Sequence, residues 1–223
     1  MGVNPQDSAL DPLTHTLYIE SDPENGNLGT VTVLNASTCD SLRTSSCVSN
    51  TPYAQVGSGP VGIAVDQATD TIYVVNSNNN TVSVIDGATC NATMTSGCGK
   101  KPPSVTLGQG SVNYNVAFAI DQANRTLYVA NWAGNTLSMI DKASCNATVT
   151  SGCAQTPHVA RVGRGPDGIA VNPATQTVYV PQRRRRHRIG AQRGHLQRDN
   201  IFRLQLGHDR DAVRGTLPLL AAG

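Results

Sequence analysis

Apolar residues run along this chain in short stretches that alternate with Thr, Ser and turn-forming residues, and the stretches recur. Thr136-Leu137-Ser138-Met139-Ile140 alternates with a period of two, as do Thr81-Val82-Ser83-Val84-Ile85 and Thr30-Val31-Thr32-Val33-Leu34. That is the period of a half-buried strand. Upstream of each lies a pair of apolar runs around a polar turn, as in Val116–Ile120, then Asp121-Gln122-Ala123-Asn124, then Thr126–Ala130. A shorter run closes each unit, His158–Val162 in the third and Ser104–Leu107 and Tyr53–Val56 in the earlier two, and each leads into a Gly-x-Gly turn. The pattern predicts four antiparallel strands per unit.

The unit repeats in register. Ala9-Leu10-Asp11 with Thr16-Leu17-Tyr18-Ile19, Ala64-Val65-Asp66 with Thr71-Ile72-Tyr73-Val74, Ala119-Ile120-Asp121 with Thr126-Leu127-Tyr128-Val129, and Ala170-Val171-Asn172 with Thr177-Val178-Tyr179-Val180 align, the tyrosines 55, 55 and 51 residues apart. Four strands of this length cannot bury both faces alone, so the units must stack, and radial stacking is the β-propeller solution. The fold class expected is all-β, four-stranded antiparallel propeller blades in an incomplete propeller, with boundaries near Gly57, Gly108 and Gly163. Such a set leaves apolar blade faces uncovered, so the isolated chain is expected to associate or to be poorly soluble.

Tyr73-Val74-Val75-Asn76 and Tyr128-Val129-Ala130-Asn131, preceded by Gly-Ile-Ala-Val-Asp or Val-Ala-Phe-Ala-Ile-Asp, resemble the YVTN-repeat propellers over residues 2–181. Thr is absent from the third place of the motif throughout, and Tyr18-Ile19-Glu20-Ser21 and Tyr179-Val180-Pro181 depart further. The resemblance implies a ring of about seven blades. It also implies a role among surface and periplasmic binding proteins or among lactonase-like and lyase-like enzymes. Fold alone does not choose between these.

All six cysteines fall at one place in the repeat with seven residues between partners: Cys39 with Cys47, Cys90 with Cys98, and Cys145 with Cys153. Local disulfides pinning the loop after the third strand are the expected state, each stabilising by roughly 2.5 kcal/mol in the chain-entropy model. Zinc or redox chemistry is the alternative, but zinc needs four converging ligands at closer spacing, and no His lies in these loops. Oxidised pairs point to an extracytoplasmic compartment. Met1-Gly2-Val3-Asn4-Pro5 begins no basic-then-apolar signal segment, so such a segment is expected upstream of this chain.

The net charge of +2 conceals an asymmetry. Residues 182–223 hold ten of the seventeen Lys and Arg and three of the fifteen acids, leaving residues 1–181 with seven basic against twelve acidic side chains, a net of about −5. That part repels nucleic acid, and no stretch approaches the roughly 20 apolar residues of a membrane helix. The domain division expected is propeller repeats over 1–181, three blades and the start of a fourth, then an Arg-rich tail over 182–223, read out of frame and disordered.

The genetic code supports that reading of the tail. Encode His187-Arg188-Ile189-Gly190-Ala191-Gln192 as CAC CGT ATC GGT GCT CAA, move one base on, and Thr-Val-Ser-Val-Leu appears, the missing third strand. Leu196-Gln197-Arg198-Asp199-Asn200 as CTG CAA CGC GAC AAC yields Cys-Asn-Ala-Thr in the same frame. The alternative is a basic surface-binding or nucleic-acid-binding tail around Arg183–Arg186.

Candidate chemistry in the repeats is thin. Asp11, Asp66 and Asp121 recur where a turn begins, which structure alone demands, although an acid-base or metal role needs the same residue type. His15 and His158 occupy unrelated repeat positions. The Gly-x-Gly turns precede no helix and so form no phosphate loop. Asn91-Ala92-Thr93 and Asn146-Ala147-Thr148 are glycan sequons or simply loop-favouring residues. Trp132 is a ligand-stacking platform or packs on a neighbouring loop. These residues lead to a non-catalytic, extracytoplasmic binding or scaffold module for an unknown protein or small molecule, with no catalytic, cofactor or metal residue, no nucleic-acid partner and no membrane insertion. The alternative is part of a lactonase-like or lyase-like enzyme whose catalytic residues lie in other blades.

Overall fold

In the computed structural model, residues 3–23, 26–44, 47, 51–108, 117–182, 201–206 and 213–215 are described. They form sixteen strands in four antiparallel sheets of four, and contain no helix. The chain is an incomplete β-propeller. Blade one holds β1 (Pro5–Asp11), β2 (Thr16–Ser21), β3 (Thr30–Asn35) and β4 (Tyr53–Gln55). Blade two holds β5 (Pro60–Asp66), β6 (Thr71–Asn76), β7 (Thr81–Asp86) and β8 (Ser104–Thr106). Blade three holds β9 (Phe118–Asp121), β10 (Thr126–Asn131), β11 (Thr136–Asp141) and β12 (His158–Arg161).

Register follows the repeat. Asp66 pairs with Thr71 and Thr71 with Asp86 at one end of blade two, and Asn76 with Thr81 and Thr81 with Thr106 at the other. The first-to-second turn and the disulfide loop therefore share one end of blades one to three. The second-to-third turn and the Gly-x-Gly link to the next blade share the opposite end.

The first-to-second turns close through one left-handed residue at the same place each time: His15, Asp70, Arg125 and Gln176, with φ between 46° and 51°. Asn80 and Asn135 do the same for the second-to-third turns of blades two and three, at φ 53° and 54°. Asn tolerates this region because its short amide bonds locally. Gly59 takes φ 67°, and a Cβ on Gly57 would stand 2.6 Å from the Asn76 side chain, so the link between blades one and two needs both glycines.

The core lies between blades. Tyr18, Val31 and Val33 of blade one pack with Ile72, Val74 and Ile85 of blade two, and Tyr73, Val82 and Val84 pack with Leu127, Val129 and Ile140 of blade three. The second strand of blade two, Thr71–Asn76, is buried throughout its length, because a blade lies on each side.

The tail needs a correction. Ile201–Leu206 (β15) and Val213–Gly215 (β16) complete a fourth sheet with Ala170–Asn172 (β13) and Thr177–Pro181 (β14), so disorder does not extend to these residues and the fourth blade has four strands. The free edge of β14 offers main-chain groups that an in-register strand satisfies whatever its origin. Leu204 is fully buried with Tyr128, Val178 and Val180. Residues 183–200, with the four consecutive arginines and the expected out-of-frame strand, lie outside the described residues.

Candidate functional site

At the disulfide end of the blades the recurring acids are occupied by the backbone. Asp11 accepts from the Leu13 amide at 3.0 Å and the Thr14 hydroxyl at 2.6 Å. Asp66 accepts from Ala68 at 3.2 Å and Thr69 at 3.0 Å, and Asp121 from the Ala123 amide at 3.0 Å and the Asn124 side chain at 2.9 Å. These are turn caps.

Asp66 has two partners more, from blade three. Lys142 Nζ stands 2.6 Å from Oδ2, and Gln122 Nε2 donates to Oδ1 at 2.7 Å while its Oε1 accepts from Lys142 at 2.9 Å. Both charged groups are almost wholly buried. Burial pushes the Asp66 carboxyl up, but hydrogen bonds from Lys142 and Gln122, with the Lys142 charge, outweigh it and hold the group below its ordinary value. The sequence signal was there unread: Lys142 stands where the preceding blade has Gly87.

The cysteines pair as expected, Cys39 with Cys47, Cys90 with Cys98 and Cys145 with Cys153, at Cα separations of 5.0, 4.7 and 4.7 Å. No cysteine is free. Asn91 shapes its loop: Oδ1 accepts from the amides of Thr93 at 2.9 Å and Met94 at 2.8 Å, and Nδ2 donates to the Gly87 carbonyl at 2.7 Å. Asn146 repeats this with Thr148, Val149 and the Lys142 carbonyl. Both side chains are buried and their amide nitrogens engaged, so in the folded chain the two sequons are structural.

Each internal disulfide loop also grips the blade before it. The Tyr18 hydroxyl donates to the Cys90 carbonyl at 2.9 Å and the Ala92 amide to Thr16 Oγ1 at 2.9 Å. Tyr73 and Thr71 hold Cys145 and Ala147 in the same way, at 2.8 and 2.9 Å. Burial pushes both tyrosine hydroxyls well above the ordinary range, which keeps them donors.

The opposite end collects polar atoms. Asn76 donates to Thr81 Oγ1 at 3.1 Å and Ser83 Oγ at 3.0 Å, and Asn131 donates to Thr136 at 2.9 Å and Ser138 at 2.8 Å. Ser83 and Ser138 also receive the amides of Gly57 and Gly108 from the links between blades. The Oδ1 atoms of Asn76, Asn80 and Asn131 and Nε1 of Trp132 are buried without a partner. Trp132 is partly buried.

Glu20 is the residue that sequence reasoning passed over. It takes the place of Val75 and Ala130 in the motif, is fully buried, and neither carboxylate oxygen has a hydrogen-bond partner. Burial first, and then the Asp7 and Asp22 charges, push its pKa up to about 8. The Gly62 amide opposes the rise without closing a hydrogen bond. Among the described residues no group of three or more His, Cys, Asp or Glu is placed to hold a metal ion. His15 and His158 stay apart, one in a turn and one opening an outer strand. A cleft of about 180 Å³ between the second and third disulfide loops is lined by Asp86, Lys100, Lys101, Pro102 and Thr150. That is below the roughly 300 Å³ at which small-molecule sites begin.

The NHL-repeat family model matches residues 58–85, the first three strands of blade two. No curated protein matches the chain in sequence. Among solved structures, a Lactobacillus plantarum protein superposes with a TM-score of 0.60 at 16% identity, covering 95% of this chain and 54% of that one. A Bacteroides fragilis protein named for a 6-phosphogluconolactonase activity gives 0.59 at 11%, covering 95% and 53%. Hydrazine synthase from Kuenenia stuttgartiensis gives 0.56 at 19%, covering 80% and 42%. At such identities the likeness is one of fold, and the chain spans about half the length of these structures.

Proposed function

We propose that this chain is a stretch of a YVTN-type propeller that serves outside the cytoplasm as a non-catalytic binding or scaffold module, with further blades completing its ring. The observation that carries this reading is where the recurring polar residues go. Asp11, Asp66 and Asp121 cap turns, Asn91 and Asn146 shape loops, and the internal disulfides lie in the seams between blades. Residues held this way support structure, and three disulfides are consistent with an oxidising compartment.

The tail belongs to the same reading as an out-of-frame product. Cys90 and Cys145 each stand 17 residues after Tyr73 and Tyr128, and the first cysteine of the alternative frame overlaps Leu196, 17 residues after Tyr179. Resequencing codons 178–184 tests this part.

The functional part is tested with oxidised full chain and sugar lactones, in calcium, magnesium or zinc and again in chelator. Hydrolysis at the uncatalysed rate throughout is expected. Faster hydrolysis that the chelator abolishes would overturn the reading in favour of the lactonase class, to which the name of the Bacteroides fragilis structure points.

A further inference from the structure

We infer that Lys142, Gln122 and Asp66 form a self-processing site, in which the Lys142 amine displaces ammonia from the Gln122 side chain and leaves an isopeptide bond inside blade three. The three side chains close a triangle. Lys142 Nζ lies 2.6 Å from Asp66 Oδ2 and donates to Gln122 Oε1 at 2.9 Å, and Gln122 Nε2 donates to Asp66 Oδ1 at 2.7 Å. One carboxylate oxygen thus holds the attacking nitrogen and the other holds the nitrogen that leaves. A group that carries protons from the first to the second needs this placement.

The reacting groups are dry and held. The Lys142 and Asp66 side chains are 3% and 0% exposed, so little water competes for the amine. The Lys142 amide donates to the Arg125 carbonyl at 2.9 Å and its carbonyl accepts from Asn146 Nδ2 at 2.7 Å, while Ala68 and Thr69 fix the Asp66 carboxylate. Well-oriented groups of one molecule react as though at about 10⁵–10⁸ M, which is what brings an unactivated amide within reach. Gln122 lies on the exposed side of the pair and gives the ammonia a way out.

The chain as first folded holds the ion pair, and the bond replaces it with time. One proton passes from Nζ to Asp66 Oδ2, the neutral amine adds to Gln122 Cδ, and Asp66 delivers that proton to Nε2. The Cδ–Nε2 bond then breaks, and ammonia leaves with the second proton shed by Nζ, as ammonium. Asp66 ends as the carboxylate it was, and nothing is oxidised or reduced. Because Lys142 and Gln122 hold Asp66 in its charged form, the first proton transfer is uphill and the reaction is a slow maturation. It happens once per chain and turns over no substrate, so it stands beside the binding role proposed above.

An amide between Lys142 and Asp66 themselves, made with loss of water, is the rival, but it spends the only acid of the triangle and leaves an amide to carry the protons. The repeat also supplies an internal control. At the seam of blades one and two the same places hold Asp11, Gln67 and Gly87, so acid and amide recur and the amine is missing.

Intact-mass spectrometry and tryptic mapping of the oxidised full chain, incubated after refolding, test this. A mass lower by one ammonia is expected, with the peptide of Gln122 joined to that of Lys142 and no cleavage at Lys142. Chain kept in urea should not join. Asp66→Asn leaves both reacting groups in place and should slow joining by roughly a hundredfold or more. Lys142→Arg keeps a cation beside Asp66 and should abolish it. Far-UV circular dichroism confirms that each variant retains its strands. A parent chain whose two peptides stay separate, a junction made to Asp66 with loss of water, or joining at the parent rate in folded Asp66→Asn would each overturn the inference.

Discussion

The Tyr73 hydroxyl donates to the carbonyl of Cys145, 72 residues further along the chain, at 2.8 Å. Tyr18 and Cys90 stand in the same relation at the same separation. The motif tyrosine is therefore a fastener between blades as well as a core residue, and it acts on the loop that the disulfide holds in shape. Tyr73→Phe keeps the ring and its packing but strands a buried carbonyl, so it should cost about 1–3 kcal/mol. Equilibrium urea unfolding with unchanged m-value would report it. Tyr53→Phe, on an exposed outer strand, should cost nothing measurable.

The three disulfides should not reduce together. Cys90–Cys98 and Cys145–Cys153 are buried beneath a neighbouring blade, whereas both Cys39 and Cys47 are half-buried in blade one. Exchange requires a thiolate to reach a sulfur. Graded reductant followed by alkylation and mass spectrometry should therefore label Cys39 and Cys47 first, with the other four appearing together as the blades unfold.

Lys142 and Asp66 tie blade two to blade three through a buried ion pair at 2.6 Å. Lys142→Met leaves the carboxylate charged and buried with only Gln122 and its turn, and should cost about 3–5 kcal/mol. The pair also sets an acid limb. The folded Asp66 pKa lies below its ordinary value of 3.8, so its contribution is present above that value and is lost as pH falls through the folded pKa. Asp66→Asn should flatten stability against pH below about pH 4, as followed by thermal unfolding.

Most of the fold was legible because it is written three times over. Strand alternation, the Thr-x-Tyr run and the Gly-x-Gly links recur, and Tyr73 and Tyr128 stand at the same place in the repeat and are both buried. The cysteine pairing was legible for the same reason. What escaped lies in the exceptions to the repeat. Lys142 for Gly87 and Glu20 for Val75 are single departures, and their meaning depends on which face of the next blade they meet, which spacing along one chain does not encode. The strands Ile201–Leu206 and Val213–Gly215 escaped because edge pairing uses the main chain, and their side chains carry no trace of the repeat.

Glu20 predicts an inverted pH dependence on the alkaline side. Its carboxyl is fully buried without a partner, with a folded pKa pushed up to about 8 from an ordinary 4.5 by burial first and then by Asp7 and Asp22, the Gly62 amide opposing. The folded chain therefore holds a proton that the unfolded chain releases. Stability from this group is complete below about pH 4.5, declines as pH rises, and is gone once pH passes through the folded value near 8. This slope is opposite in sign to that of Asp66 and occupies a separate window, so one protein should show both limbs. Glu20→Gln should abolish the decline between pH 5 and 9 while leaving the acid limb intact. Glu20→Val restores the residue that blade two carries at this place, and should stabilise the chain by about 1–3 kcal/mol at pH 8. Chemical denaturation across that range is the measurement. A parent chain whose stability stays level from pH 5 to 9, or a Val variant weaker than the parent at pH 8, would mean that Glu20 finds a partner or water in solution.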